Sequence, residues 1–184
     1  MFAVLAEDPS DADALVALVK SITGRTNLKV HKKGFGGCGQ LCRKAPSYIK
    51  LFADQGATRF VICHDSDGLD PRDIRAKVEA VIKTKGCSSY KHAVVVPVEE
   101  IEAWMIADED AITAVIPSLK IKAVKKPESI QSPKEWLVRE SNKGRSTPLY
   151  VPAIHNAQVA AHINLAKLEK KCPSFVLLKH FVNS

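Results

Sequence analysis

Asp65 and Asp67 close the stretch Arg59-Phe60-Val61-Ile62-Cys63-His64-Asp65-Ser66-Asp67-Gly68, in which an apolar run of strand character ends in two carboxylates one residue apart. Side chains alternate along a strand, so the pair is expected to face one way and share a cation. Like charges held together raise each other's pKa, and folding alone gives no reason to keep them so; a metal ion or several cationic groups would. Hard carboxylate oxygens are the donors that Mg2+ or Mn2+ takes. Such an ion lowers the pKa of bound water and stabilises a leaving oxygen, which is the chemistry of phosphodiester hydrolysis.

The elements that would carry these groups read as an α/β fold. Phe2 to Ala6 is a short buried strand with Glu7 at its carboxyl end. Ser10 is placed as the N-cap of a helix, with Asp11 and Asp13 in the first turn, an apolar face through Leu15, Leu18, Val19 and Ile22, and Gly24 as its stop. A second strand over Leu28 to His31 leads into a loop holding Gly34, Gly36, Gly37 and Gly39, followed by a helix over about 40–54. After the Arg59 to His64 strand, Asp70-Pro71 opens another helix, and Ala93 to Val98 is a fourth strand. Strands apolar on both faces, alternating with amphipathic helices, form a mostly parallel sheet covered on two sides. Helices are expected over 100–107, 110–115, 133–140, 154–171 and 174–182. The organisation is one compact domain, an α/β core over 1–115 carrying a basic, mainly helical extension over 116–184. In open α/β sheets ligands bind beyond the carboxyl ends of the strands. Glu7, the Asp65 and Asp67 pair, and Glu99, Glu100 and Glu102 all fall at that rim.

Charge divides the same way. Residues 1–119 carry 15 Lys and Arg against 16 Asp and Glu, whereas residues 120–184 carry 12 against 4. A basic surface beside an acidic metal site suits a phosphate-bearing polymer, with Lys122, Lys125, Lys126, Lys143 and Arg145 as the candidate nucleic-acid contacts. A solvated lysine face is the plainer reading of the same residues. The five cysteines are odd in number and scattered, which excludes a disulfide framework and points to a reducing, cytoplasmic setting. No apolar run reaches the length of a membrane span.

Each marked residue has a structural alternative. Glu7 could favour the N-terminus of the helix that follows it, and Asp67 could make a local turn with Gly68. The glycine loop is either a plain connection or a lid over the substrate. His64 alone among the histidines adjoins the acids, as a residue that would support a ligand. Trp104 and Trp136 read as core.

Strand-Glu7, a glycine-containing loop, and a strand ending Asp65-Ser66-Asp67 resemble the TOPRIM fold of topoisomerases, bacterial primases, recombination-repair proteins and OLD nucleases. More closely, Ala6-Glu7-Asp8-Pro9-Ser10-Asp11, His64-Asp65-Ser66-Asp67-Gly68, Val98-Glu99-Glu100-Ile101-Glu102-Ala103-Trp104 and Cys172-Pro173-Ser174-Phe175 resemble a stand-alone TOPRIM-like bacterial family. Its members are often encoded beside an ATPase in modules linked to phage defence. The resemblance implies a Mg2+-dependent nuclease acting on DNA more than RNA, with Glu7, Asp65 and Asp67 as catalytic metal ligands, Glu100 and Glu102 as further ligands, and an ATPase as partner. Tyr48, Tyr90 and Tyr150 lack the setting of a topoisomerase nucleophile. Asp65-Ser66-Asp67-Gly68 also resembles the nucleophile motif of haloacid-dehalogenase-like phosphatases, in which Asp65 would be phosphorylated. A non-catalytic subunit that holds the ATPase through the helical tail is the third reading.

Overall fold

The computed structural model describes residues 1–184. Four strands, β1 (Phe2–Ala6), β2 (Val30–Gly34), β3 (Arg59–Cys63) and β4 (Lys91–Val95), form one sheet in the order β2-β1-β3-β4. Every pairing is parallel, so the sheet is wholly and not mostly parallel. Between the strands run α1 (Pro9–Thr23), α2 (Cys38–Asp54) and α3 (Pro71–Thr84). After β4 come α4 (Glu102–Ile106), α5 (Glu109–Val115), α6 (Pro133–Asn142), α7 (Pro152–His162), α8 (Leu165–Lys171) and α9 (Val176–Asn183), with 3-10 turns at Pro127–Ser129 and Pro173–Phe175.

Alternation along the strands sorts the core into two. Phe2, Val4, Ala6, Val61, Cys63 and Val95 face α1, while Ala3, Leu5, Phe60, Ile62 and Val94 face α2 and α3. The chain therefore leaves β1 on one face and β3 on the other. The cluster beneath α1 holds 32 residues against 16 on the opposite face, because Leu137, Tyr150, Val159, Leu168, Phe175 and Leu178 complete it. The basic C-terminal stretch thus supplies much of the larger core. Trp104 is fully buried there, edge-on to Phe175 with ring centroids 5.5 Å apart and with its indole N–H donating to Ser174 Oγ at 2.8 Å. Truncating such a side chain to Ala costs about 3–5 kcal/mol. At the amino edge of the sheet the Arg59 guanidinium stacks between Phe2 and Phe181 and donates to the carbonyls of Phe181 and Val182, tying α9 to β3.

Several boundaries differ from the sequence expectation, each for a local reason. The cap of α1 is Asp8 and not Ser10: Pro9, which lacks an N–H, takes the first helical position, and Asp11 Oδ2 accepts the Asp8 N–H at 3.3 Å. The expected helix over 154–171 is two helices, because Asn164 Oδ1 accepts the N–H groups of Ala166 and Lys167 and starts α8 afresh. Strand β2 begins two residues late and continues to Gly34. A Cβ at Gly34 would stand 2.2 Å from the Pro9 nitrogen, so only glycine lets β2 lie against the β1–α1 turn. Strand β4 starts earlier, taking in polar Lys91 and His92 at the sheet edge.

Candidate active site

The register Phe2↔Arg59 through Leu5↔Ile62 sends β1 and β3 out of the sheet side by side, so Glu7 and His64 emerge as neighbours. Between them the chain turns to opposite faces, the crevice at which doubly wound sheets bind ligands. The Glu7 carboxylate lies across this opening: Oε1 accepts the Asp65 N–H at 3.0 Å and sits 2.8 Å from His64 Nδ1. His64 Nδ1 is also 2.6 Å from the Asp65 carbonyl oxygen. Both oxygens accept, so the hydrogen resides on Nδ1, and Nε2 is left buried without a partner. Burial opposes the charged imidazole, but the contacts with Glu7 and the Asp65 carbonyl outweigh it and the His64 pKa moves up.

The glycine loop holds Glu7 from the other side. The N–H groups of Phe35, Gly36 and Gly37 all donate to the Glu7 carbonyl oxygen, at 3.0, 2.7 and 3.1 Å. The loop is therefore a cradle for the Glu7 backbone in this structure and not a lid. Gly36 and Gly37, at φ 73° and 114°, take the left-handed conformation that aims successive N–H groups at one oxygen.

Asp65 and Asp67 do not share a strand face. Strand β3 stops at Cys63, and Asp67 turns into the left-handed region at φ 47°. Asp65 is half-buried and points among Asp11 and Glu102, whereas Asp67 is exposed and has Glu7 and His64 as its charged neighbours. Burial, then Asp11, Glu102, Glu7 and Asp67, push the Asp65 carboxyl well above the usual carboxylate range. Burial and Glu7 also move Asp67 up.

Asp11 is the residue that sequence reasoning passed over. It was legible only as a first-turn acid of α1, yet it is buried, and burial together with Glu102 and Asp8 raises its pKa to about 7. Neighbouring carboxylates add repulsion to the cost of burying this acid. A helix N-terminus returns only about 0.3–1 kcal/mol to an acid placed on it, so the capping bond from the Asp8 N–H relieves only part of the crowding around Asp11. Glu102 is likewise buried and raised, first by burial, against the opposing pull of Asn156 and Lys134. Asn156 Nδ2 donates to Glu102 Oε1 at 2.9 Å, and its Oδ1 accepts the Tyr150 hydroxyl, which fixes the carboxylate's orientation. Lys134, at the start of α6, is the cation of this group: burial disfavours its charge, but Glu102, Asp8, Glu100 and Asp11 together raise its pKa.

Glu100 serves a structural contact, its Oε2 accepting the Lys134 N–H at 2.9 Å at the start of α6. Glu99 adopts φ 61°, and its carbonyl accepts the N–H groups of Ser66 and Asp67 while Ser66 Oγ accepts the Glu99 N–H at 2.7 Å. Asp67, Glu99 and Ser132 are the three non-glycine residues with left-handed φ in the chain, and all three line one cleft of about 280 Å³ with Gly68, Glu100 and Gln131. Such conformations cost of order 1–3 kcal/mol each and gather at functional sites. No three His, Cys, Asp or Glu side chains close on one point as a ligand set in the conformation seen. The expected basic contacts are exposed: Lys143 pairs with Glu140 at 2.6 Å and Arg145 reaches the Ser118 carbonyl at 3.3 Å, while Lys122, Lys125 and Lys126 enter no ion pair. All five cysteines are free, and no helix is long and apolar enough to cross a membrane.

Residues 6–183 match a family model described as Domain of unknown function (DUF4276). No curated protein and no solved structure matches the chain.

Proposed function

The chain belongs to the DUF4276 family, and we propose that its acidic crevice is the centre of a Mg2+- or Mn2+-dependent nuclease, hydrolysing phosphodiester bonds of DNA in preference to RNA. The observation that carries this reading is the crowding of Asp11, Asp65 and Glu102 beside Glu7 at the point where β1 and β3 part, with Lys134 as a cation for Asp11 and Glu102 and none for Asp65. Mutual repulsion of buried carboxylates disfavours the folded state unless a positive ion relieves it. The donors are all oxygen, which fits a hard divalent cation. Asp65 would hold it from the centre of the group, joined by Glu7 through Oε2, the oxygen that neither His64 nor the Asp65 N–H engages, and by Asp67 once its side chain turns inward, with Glu102 and Glu100 as the outer donors. A cation so held supplies an activated water and neutralises the leaving oxygen.

The chain's own residues account for the rest of the site. Glu7 is fixed by the glycine cradle and by the Asp65 N–H, and it holds the proton of His64 on Nδ1. The strained loops at Asp67, Glu99 and Ser132 line a cleft whose charged groups are all carboxylates, so a substrate phosphate would enter it together with the cation. The basic side chains of residues 120–184 would hold the flanking backbone. The free cysteines accord with a cytoplasmic protein, and the resemblance to ATPase-linked defence proteins supplies the context, an effector working with a partner ATPase.

Titration calorimetry with Mg2+ and Mn2+, together with cleavage of labelled single- and double-stranded DNA and RNA, tests the reading on the wild type and on Asp65→Asn. The expected result is cation binding and cleavage by the wild type, with cleavage reduced by at least about 100-fold in the variant and no loss of thermal stability. Wild-type protein that binds neither cation and cuts nothing, alone or with the ATPase, would overturn it. Trapping of a beryllofluoride adduct on Asp65 would assign the phosphatase chemistry instead. Cellular activity that survives loss of both Asp65 and Asp67 would assign a scaffold.

A further inference from the structure

The connection that walls the acidic cleft lines a second cleft of opposite charge. Lys125, Lys126 and Ser129 enclose, with Lys170 and Lys171 at the end of α8 and Pro173 beyond it, a depression of about 480 Å³. Its one carboxylate, Glu128, is already committed: Oε1 accepts the Ser174 N–H at 3.1 Å and the Ser174 hydroxyl, which itself accepts the Trp104 indole N–H. The 3-10 turn that presents the lysines is thereby pinned to the buried core. Lys171 is held in place by the Ala107 carbonyl at 2.8 Å and Glu109 at 3.3 Å. Lys125, Lys126 and Lys170 are exposed and enter no ion pair.

A solvated lysine face spreads its charges apart, because like charges repel. Here three unpaired lysines, Lys125, Lys126 and Lys170, come from two separate segments to line one concavity beside the Glu109-paired Lys171, an arrangement that an anion stabilises. The position of the cleft identifies the anion. Ser129 lines the basic cleft and Gln131 and Ser132 line the acidic one. Three residues of chain span at most about 10 Å, so the two clefts share a wall, and a strand leaving one reaches the other within a few nucleotides.

We infer that the Lys125, Lys126, Lys170 and Lys171 cleft is a phosphate-binding subsite for the nucleic-acid strand whose scissile phosphate occupies the acidic cleft. This rests on the nuclease reading of the neighbouring site and adds to it the path of the substrate. Lys170 completes the subsite although it lies far along the chain from Lys125 and Lys126, and Lys171 walls it from its pairing with Glu109.

Fluorescence anisotropy with a labelled oligonucleotide, on the full chain in EDTA so that no cleavage intervenes, tests the inference across a salt series. The double variant Lys126→Gln with Lys170→Gln is compared with Lys83→Gln, an exposed residue in the last turn of α3. The double variant should bind about tenfold more weakly near 0.1 M salt, and its plot of log affinity against log salt should be shallower by about 1.5, as for two lost phosphate contacts. Lys83→Gln should match the wild type in both. Thermal unfolding at the wild-type temperature confirms that the double variant is folded. Unchanged affinity and slope in the double variant overturn the subsite, and if the wild type still cuts DNA with Mg2+ the nuclease reading stands without it. Weakened binding in the double variant, with no cleavage by the wild type, keeps the subsite and removes the nuclease. Pyrophosphate binding that the double variant loses while oligonucleotide affinity holds would also overturn the inference, by assigning the cleft to a small phosphate.

Discussion

Two acidic groups stand on the α1 side of the sheet, and they resolve their charge in opposite ways. Asp108, Glu109 and Asp110, at the start of α5, meet matched donors: Asp108 accepts the Asn164 N–H at 2.8 Å and Lys167 at 2.9 Å, Lys167 also reaches Asp110 at 2.5 Å, and Lys171 reaches Glu109 at 3.3 Å. Burial pushes Asp108 up, but these donors outweigh it and hold its carboxyl below the usual range. At Asp65, Asp11 and Glu102 the donors are fewer, Lys134 serves only Asp11 and Glu102 among them, and all three pKa values rise. Equal density of acid thus has two meanings. Where the acidic group meets lysines and backbone N–H groups directly, it is cement between α5 and α8. Where it does not, the balance must come from outside the chain.

That contrast can be broken by removing a carboxylate from each side. Asp108→Ala should destabilise the protein by up to about 3 kcal/mol, because the Asn164 N–H loses its acceptor while Lys167 keeps only Asp110 and Glu109; urea denaturation measures it, and a loss under about 0.5 kcal/mol would mean that the satisfied group holds nothing together. Asp11→Asn should do the reverse, in a pH-dependent way. An acid whose folded-state pKa of about 7 lies above its ordinary value of 3.8 leaves the folded state unpenalised below pH 4, and stability then falls as pH rises until the folded value is passed. Without divalent cations the wild type should lose on the order of 2–3 kcal/mol between about pH 5 and pH 8 from this residue, and the variant should not. Equal slopes for the two proteins would place the charge crowding elsewhere. The finest probe is Lys134→Gln. Loss of the shared cation should lower stability by about 0.5–1 kcal/mol at neutral pH, an effect that added Mg2+ reverses if it occupies the same crevice.

The fold class was legible because its signals are local. Apolar runs in β1, β3 and β4 and proline or glycine at helix ends are written in consecutive residues, whereas β2, Val-His-Lys-Lys-Gly at the sheet edge, has no such run and was placed two residues early. Glu7 and Asp65 were legible for a related reason, since the carboxyl end of a parallel strand is where such a sheet exposes its loops. Asp11, Lys134 and Asn156 were not. They meet at the crevice through the packing of α6 and α7 against α1 and α4, and nothing in the spacing of Asp11 to Lys134 encodes that meeting. The alternation argument for Asp65 and Asp67 failed because it carried strand geometry to Asp67, four residues beyond Cys63, where β3 ends. The break before α8 could have been read from Asn164, a strong N-cap ahead of Leu165-Ala166-Lys167-Leu168.

The cradle around Glu7 bears on how this chain can be engineered. A segment with glycine at 34, 36, 37 and 39 is where one would ordinarily insert an epitope, split a reporter or open a circular permutant. Here three consecutive backbone N–H groups of that segment converge on the carbonyl of Glu7, so a lengthened or severed loop would release the glutamate while leaving most of the sheet intact. The exposed turn at Gly86, with φ 71° and at the opposite edge of the sheet, is the better place to cut.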